Sequence, residues 1–333
     1  MSITGGKGGA VRSRLEARGV AALAIVAVLG LSSAACAKIG ELKAKMRAKE
    51  ANVAYQAQNY PRAVELYEET LQNDPNMTQM YFFLGNSYDN LYKPGLDEPD
   101  NKEKLAKAIE NYELAAQKIP TDTPESAKLK MLSLQYLAAA YGSDKLDDPV
   151  KAEPVIQQMI QLEPGDPASY IQLAKLYEDA GAYQEAEQMY VYATKAKPND
   201  TGALMQVAGY YNRQGQFDKT IEALQKRADL EPNNPEAYFT ISTYYWDNAQ
   251  RNVQLKDAEK MDNVEKGLTA IEKALEIRPD YMEALTYKGL LLRVEANLEK
   301  NPARQQTLLK EAIQLQNQAE ELRKKKAAGV VSN

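Results

Sequence analysis

Apolar side chains recur along the chain at the spacing of helices that bury one face. Two consecutive 34-residue blocks, 167–200 and 201–234, carry them at block positions 4, 7, 8 and 11, and the corresponding face of a second helix follows at positions 20, 24, 27 and 28. Positions i, i+3, i+4 and i+7 fall on one side of an α-helix, so each block predicts two helices with one apolar stripe apiece. Glycine at position 15 suits the positive φ of a helix end, and proline at position 32 stops the second helix because it lacks an amide donor. The pattern therefore predicts helical hairpins.

The residues at these positions resemble the tetratricopeptide repeat (TPR), a helical hairpin of 34 residues. The first block holds Tyr170, Leu173, Ala174, Tyr177, Gly181, Tyr183, Ala186, Tyr190, Ala193 and Pro198. The second block departs from the family mainly at position 27, which is Arg227. One hairpin cannot bury its stripe alone, so the resemblance implies that the hairpins stack.

The number of repeats follows from the prolines at position 32, because each one marks the end of a repeat. They are Pro75, Pro120, Pro164, Pro198, Pro232 and Pro279, and a further repeat without one follows. We expect an all-α fold: a right-handed α-solenoid of about seven TPR helix hairpins, three or four with insertions, over residues 38–326. The predicted repeats are about 44–77, 78–122, 123–166, 167–200, 201–234, 235–281 and 282–322, and residues 327–333 are expected to be a disordered tail.

Proline spacings longer than 34 residues locate the insertions. In the second repeat, the polar stretch 92–102 contains Pro and Gly, which predicts a loop. Before the third, Thr123-Pro124 predicts an early helix start. In the sixth, residues 247–263 lack Pro and Gly, which predicts two lengthened helices in a protruding hairpin. The pair Asn301-Pro302 predicts a break within the seventh.

The first 37 residues are typical of an export signal, because four cations precede an uncharged apolar run at 19–31 and then small residues. Cys36 follows Ala34-Ala35 and loosely resembles the lipidated cysteine of a bacterial lipobox, although Ser33 stands where Leu is preferred. Two alternatives remain open: ordinary cleavage beside Cys36, and a retained transmembrane anchor, since 19–37 is just long enough to span a bilayer. Each predicts export to the cell envelope or periplasm, and two of the three predict a membrane-attached chain.

The amino-acid composition excludes several kinds of catalytic and metal site. The sequence contains no histidine and a single cysteine, which excludes Ser-His and Cys-His dyads, histidine metal sites and CxxC pairs. The formal net charge is −5, which argues against nucleic acid as a partner. The basic run 323–326 is interpreted as the cationic end of a helix. We expect no catalytic residue, no metal and no cofactor.

In the TPR family, partner segments usually lie in a concave groove lined by the first helices, and repeat positions 2, 5, 9, 12 and 13 point into it. Carried onto this sequence, these positions give the candidate partner-binding residues Phe82, Asn86, Lys175, Met205, Arg213, Phe239, Trp246 and Arg293. Aromatic side chains at such positions are typical of binding hot spots. The alternative is that longer neighbouring helices cover them, because the insertions lie in the same repeats.

The leading hypothesis is a non-catalytic scaffold of the bacterial cell envelope that binds segments of other proteins, in an assembly or secretion process. Two alternatives stay open. One is a carbohydrate-active enzyme with two groove carboxylates, which needs no histidine. The other is a structural protein whose repeats associate with one another.

Overall fold

The computed structural model describes residues 38–329, and every regular element within them is an α-helix. There are fourteen, which matches the seven predicted hairpins. The helices are α1 (38–56), α2 (Tyr60–Asn73), α3 (Gln79–Leu91), α4 (Pro99–Lys118), α5 (Pro124–Tyr141), α6 (Pro149–Leu162), α7 (Pro167–Asp179), α8 (Tyr183–Ala196), α9 (Thr201–Arg213), α10 (Phe217–Leu230), α11 (Pro235–Arg251), α12 (Asp257–Ile277), α13 (Met282–Leu298) and α14 (Pro302–Ala327).

The described residues divide into two compact units, each a stack of helix pairs. Unit 1 comprises residues 38–162 with α1–α6, and unit 2 comprises residues 163–329 with α7–α14. Within the units each odd-numbered helix packs on the next, as in α3/α4, α7/α8 and α11/α12. The stacking expected from the pattern is thus present in both units.

Helix ends lie where the turn chemistry predicts them. The Asp200 side chain caps α9 by accepting a hydrogen bond from the Ala203 amide at 2.9 Å. This hydrogen bond, and to a lesser extent one from Lys197, lowers the pKa of the Asp200 carboxyl. Gly181 and Gly215 have φ of +74° and +68°, as position 15 of the repeat requires. Thr123 forms a capping box with Ser126, followed by proline at the first helical position, so the early start of α5 is confirmed.

Small residues allow the helices of a hairpin to approach, and large ones fill the space between them. In unit 2, Ala174, Ala186 and Ala208 have no exposed surface, and the buried rings of Tyr190 and Tyr210 lie with centroids 4.7 Å apart. Arg227, the departure at position 27, keeps only 14% of its side chain exposed. Its guanidinium lies 3.2 Å from the Glu231 carboxylate, so the aliphatic stem packs where a small residue was expected.

The insertions take helical as well as loop form. The predicted loop 92–102 is wrong in its last four residues, because α4 begins at Pro99. Pro99 can open a helix since its missing amide has no partner there in any case. In the sixth hairpin α11 and α12 are both lengthened, with 17 and 21 residues, and Val253 at their junction is 90% exposed, which confirms the protruding hairpin.

The two ends of the chain are described only in part. Asn301 caps α14, which confirms the break, and α14 runs through Ala327, the first residue of the predicted tail. Lysines occupy its last turn, where they complement the helix dipole. The predicted export segment with Cys36, and residues 330–333, lie outside the described residues. Among residues 38–329, no helix combines the length and the apolar character needed to cross a membrane.

Candidate partner-binding surface

The first helices of neighbouring hairpins form the inner face of each unit. In unit 1, α3 contacts α5, and in unit 2, α7 contacts α9 and α11 contacts α13. The backbones of second helices do not approach one another in this way within residues 38–329, although the long side chains of Lys219 on α10 and Glu187 on α8 meet at 2.7 Å. Since the first helices are closer together than the second helices, the inner face is theirs, as the repeat pattern predicts. The predicted partner-binding residues lie on these first helices.

Phe82 on α3 is buried, with 3% of its surface exposed, so it offers no surface to a partner. Its ring contacts Phe83 at 5.3 Å, Tyr112 at 6.1 Å and Tyr136 at 5.8 Å between centroids. Tyr136 comes from α5, the first helix of the next hairpin, and covers the position that would otherwise face the groove. The alternative interpretation, coverage by neighbouring helices, is the correct one for Phe82.

Asn86 on α3 is also buried, at 4% exposure, and links three helices through its side chain. Its Oδ1 accepts from the Tyr55 hydroxyl at 2.7 Å, and its Nδ2 donates to the Tyr112 hydroxyl at 3.3 Å. Tyr112 also donates to Asp89, which forms an ion pair with Lys145. Asn86 therefore belongs to an internal polar network of unit 1, because a buried amide must have partners.

In unit 2, α7 and α9 are joined by a charged pair on the inner face. Arg213 Nε and Nη2 donate to the two Glu178 oxygens at 2.7 and 2.8 Å. The Glu178 side chain is 13% exposed and that of Arg213 is 52% exposed. The bond from Arg213 lowers the pKa of the Glu178 carboxyl, and burial raises the pKa of the adjacent Tyr190 hydroxyl to about 12. Arg213 is thus oriented by a fixed carboxylate while half its surface stays open.

Lys175 and Met205 lie on the same inner face. Lys175 on α7 is exposed, and no ion pair joins it to another residue of the described part. Met205 on α9 is half-buried, with its sulfur 3.0 Å from Nη1 of Arg227. The α7–α9 half of the inner face therefore combines an open cation, a partly open guanidinium and a polarisable apolar side chain.

Aromatic side chains join α11 and α13 in the other half of the inner face. The Tyr287 ring meets Phe239 and Trp246 edge-on, with centroids 5.3 and 5.4 Å away. We call Phe239, Trp246 and Tyr287 the aromatic triad. All three are half-buried, and Phe239 also contacts the buried Tyr281 at 5.1 Å. Sequence reasoning missed Tyr287, because it occupies repeat position 6, which was not among the positions expected to line the groove.

Arg293, the last predicted residue, lies on α13 and is half-buried. Its Nη2 donates to the Gln316 side chain of α14 at 2.9 Å. Five predicted residues, Lys175, Met205, Arg213, Phe239 and Trp246, thus lie on α7, α9 and α11 of unit 2 with accessible surface, and Arg293 lies on α13 tied to the final helix.

The structure also contains clefts that sequence reasoning did not anticipate. Two in unit 2, of about 550 and 590 Å³, are lined by α8 and α10 over α9, and by α10 and α12 over α11. One in unit 1, of about 670 Å³, lies between the second-repeat insertion, α4 and the α5–α6 connection. Asn101 shapes this insertion by hydrogen bonding Lys93 and Leu96 through its amide group.

The pKa shifts of carboxyl groups in residues 38–329 bear on the carbohydrate-active alternative. Every carboxyl group of the described part whose pKa is displaced has it lowered: Glu178, Asp200, Glu222, Glu231 and Glu320. A two-carboxylate glycosidase needs one carboxyl with a raised pKa as proton donor. Within residues 38–329 no group of His, Cys, Asp and Glu side chains is arranged to hold a metal ion.

Parts of this sequence match known family models, and the fold is similar to those of several solved structures. Two family models, both described as tetratricopeptide repeat, match residues 48–123 and 145–208. No curated protein matches. The C-terminal part of a TPR repeat-containing protein from Cytophaga hutchinsonii is 15% identical, with a TM-score of 0.54, and the match covers 82% of this chain and 98% of that chain. At this identity the likeness shows the fold alone.

Two further solved structures are similar over a shorter part of this chain. MamA from Desulfovibrio magneticus RS-1 is 18% identical with a TM-score of 0.40, and the match covers 60% of this chain and 95% of that chain. YrrB, described as a TPR protein with an unusual peptide-binding site, is 21% identical with a TM-score of 0.37, and the match covers 56% of this chain and 86% of that chain.

Proposed function

Because this chain is a tetratricopeptide-repeat protein, we propose that it is a non-catalytic scaffold that binds segments of other proteins on the inner face of unit 2. The observation that carries the proposal is the aromatic triad, which leaves three large rings partly open on first helices of the unit that also carries Lys175 and Arg213 on its first helices. Binding hot spots are enriched in Trp, Tyr and Arg because these side chains bury much area at little entropic loss.

The chemistry of the surface defines the segment that fits it. The triad rings would pack against an aliphatic or aromatic side chain, as aromatic faces and edges do. Lys175 is open, and the Arg213 guanidinium has Nη1 outside its bonds to Glu178. These cations favour a segment that carries a carboxylate, since an arginine pre-oriented by one carboxylate loses little freedom on binding another.

The location follows from the N-terminal pattern alone. We propose that the chain works in the bacterial cell envelope, attached through residues 1–37, with lipidation at Cys36 as the favoured form of attachment and an assembly or secretion process as the setting. The support is the order of cations, apolar run and small residues that ends at the single cysteine of the sequence. Labelling cells with a radioactive fatty acid tests lipidation: the wild type should incorporate label and Cys36→Ala should not, whereas equal labelling would refute lipidation at Cys36.

The partner proposal is tested by crosslinking and pull-down from the native envelope with two inner-face variants. Phe239→Ala, Trp246→Ala removes two of the triad rings, and Lys175→Glu reverses an exposed charge without removing any packed group. We expect both variants to lose the partners that wild type captures. Partner sets identical to wild type for both variants would contradict the inner-face proposal.

The matched control is Tyr183→Ala, Tyr192→Ala. These tyrosines lie on α8, a second helix of the same unit, and are 51% and 47% exposed, so the control removes two aromatic rings from the other side of unit 2. It should capture the same partners as wild type. Circular dichroism melting of all variants separates lost binding from lost folding, and Lys175→Glu keeps the test decisive if the triad variant unfolds.

A further inference from the structure

Helix α1 has two apolar faces, and only one of them is used in packing. The buried face is made of the small residues Ala44, Ala48 and Ala51, none more than 5% exposed, and α1 is joined to α2 and α3 by hydrogen bonds of Asn52 and Tyr55. The opposite face carries Ile39, Leu42, Met46 and Val53, which are 68%, 63%, 60% and 61% exposed. We call these four residues the α1 stripe.

The members of the stripe are aligned along one side of the helix, with three in the first two turns and Val53 two turns further on. At 100° per residue its members fall within an arc of about 60° and extend for about 21 Å along the helix. No other helix of residues 38–329 carries four large apolar side chains exposed on one face. Single exposed apolar residues are ordinary, but an aligned set is typical of a binding surface.

Lysines border the stripe on both sides, and the one acidic side chain at its edge, Glu50, is neutralised by its ion pair with Arg47. Lys45 and Lys49 lie along one edge and Lys43 along the other, all exposed. None of the three forms an ion pair with another residue of the described part, whereas Arg47 is paired with Glu50 and Glu69 at 2.8 and 2.7 Å. The α1 surface is therefore a basic amphipathic one, of the kind that lies in a membrane interface.

We propose that the α1 stripe docks into the surface of an anionic lipid bilayer, with its lysines against the lipid headgroups. The inference rests on the proposed attachment through residues 1–37, because the stripe begins at Ile39, immediately after that segment. Attachment would hold α1 near the interface, and docking of the stripe would fix unit 1 with its alanine face, α2 and α3 directed away from the bilayer.

A second copy of the chain fits the stripe less well. Continued at coiled-coil spacing, the seam would include Lys49 between Met46 and Val53 and would extend over fewer than three heptads, which is short for a stable pair. Lysines on both edges would also face lysines of an antiparallel copy. An anionic bilayer, in contrast, attracts every one of these cations.

The test uses the full chain with Cys36→Ala, which removes the lipidation site and leaves no native cysteine. Met46→Cys places an environment-sensitive fluorophore on the stripe, and Val253→Cys places it on the 90% exposed tip of the α11–α12 hairpin as the matched control. Vesicles of phosphatidylglycerol with phosphatidylethanolamine are compared with phosphatidylcholine vesicles. We expect the label at 46 to shift to shorter wavelength and to be quenched by brominated lipids on anionic vesicles, and the label at 253 to do neither.

Two substitution sets check which groups act. Leu42→Gln, Met46→Gln should weaken vesicle binding of the Cys36→Ala chain by about tenfold or more, while the control Val150→Gln, Val253→Gln should not. Each of Lys45→Gln and Lys49→Gln should weaken binding to anionic vesicles by about fivefold. All of these positions are exposed, so melting curves should remain those of the parent chain.

The possible failures are distinguishable. If the chain binds vesicles while the label at 46 stays in water, attachment through residues 1–37 stands and the docking of the stripe is refuted. If the chain with Cys36→Ala binds neither type of vesicle, the stripe has no affinity for lipid and the inference is overturned, whereas fatty-acid labelling of wild type still decides attachment. A dimer that dissociates in the Leu42→Gln, Met46→Gln variant, with no response of the label to lipid, would assign the stripe to self-contact.

Discussion

Replacing Asn86 by leucine should loosen unit 1, although the repeat pattern places this residue among those that contact partners. The side chain is 4% exposed and makes three hydrogen bonds: from the Tyr55 hydroxyl at 2.7 Å, to the Tyr112 hydroxyl at 3.3 Å, and from the Asn90 amide at 3.0 Å. A leucine side chain has a similar volume but neither donates nor accepts a hydrogen bond. The substitution therefore tests the polar network with little change in packing.

The expected loss of free energy follows from those hydrogen-bonding groups that find no other partner once Asn86 is replaced. Each hydrogen bond contributes about 1 kcal/mol. The Tyr112 hydroxyl keeps its bond to Asp89 and the Asn90 amide keeps the main-chain oxygen of residue 86, so the Tyr55 hydroxyl is the group left without its partner. We expect Asn86→Leu to lower the opening free energy of unit 1 by about 2 kcal/mol.

Hydrogen exchange measured by mass spectrometry is the appropriate assay, because stacked repeats can open locally without global unfolding. Faster exchange should be confined to α1, α3 and α4, the helices that the network joins. The double variant Asn86→Leu, Tyr55→Phe should be less destabilised than the sum of the single variants, since both members of the 2.7 Å bond are then apolar. Lys175→Ala, an exposed position, is the control. A loss below about 0.5 kcal/mol, or full additivity in the double variant, would refute the network as a source of stability.

Three further predictions concern unit 2. The Arg213 guanidinium holds the pKa of the Glu178 carboxyl below its ordinary value, so the pair stabilises the fold above the unfolded-state pKa of about 4.3, and this contribution is lost as the pH falls through the lowered value. Arg213→Ala should lower the free energy of unfolding by about 1 kcal/mol at pH 7 in urea titrations, with the difference from wild type shrinking below about pH 4. Tyr287→Ala removes the ring between the other two members of the triad, so it should lower the free energy of unfolding by about 2 kcal/mol. Because Trp246 is the only tryptophan of the sequence, its fluorescence emission should shift to longer wavelength in this variant. Gly215→Ala should lower stability by about 1 kcal/mol in thermal unfolding, because its φ of +68° is strained for alanine although no atom lies within 4 Å of the added carbon.

Each of these has a conservative control. Arg213→Lys keeps the charge but loses the two-pronged geometry, and should lie between wild type and Arg213→Ala. Tyr287→Phe keeps the ring and should leave the tryptophan emission unchanged. Gly165→Ala adds a methyl group in open space at a position without positive φ, and should not destabilise. A pH-independent deficit for Arg213→Ala, unchanged emission in Tyr287→Ala, or equal effects of the two glycine substitutions would each contradict the stated cause.

The repeat pattern was sufficient to place the helices because its signals are local. Gly215 permits a left-handed residue, Pro302 suits the first position of a helix, and the Thr123 hydroxyl caps the amide three residues later. Such preferences act over a few residues and are written directly in the sequence. The error in the second repeat, where α4 starts at Pro99, arose because a proline-containing polar stretch supports both a loop and a helix start.

The partner-binding residues were harder to predict because exposure depends on what neighbouring helices contribute. Phe82 and Asn86 occupy the same repeat positions as Phe239 and Thr243, yet α5 and α1 cover the first pair with Tyr136 and Tyr55. A position within one repeat carries no information about the side chain that a neighbouring repeat places over it. The structure therefore divided the predicted set into buried residues of unit 1 and accessible residues of unit 2.

The sequence by itself determined the all-helical class, the number of hairpins and the glycines, prolines and capping residues at several helix ends, since periodicity and turn chemistry are properties of adjacent residues. Only the tertiary structure decided which polar groups are satisfied internally, that Tyr287 completes the aromatic triad, and that α1 packs through its alanines and leaves its large apolar side chains exposed. Small residues allow the close approach that stacking requires, so the face of α1 with the greater hydrophobic area is not the face that the fold buries. That choice depends on the shapes of two opposing surfaces, which no pattern along a single helix contains.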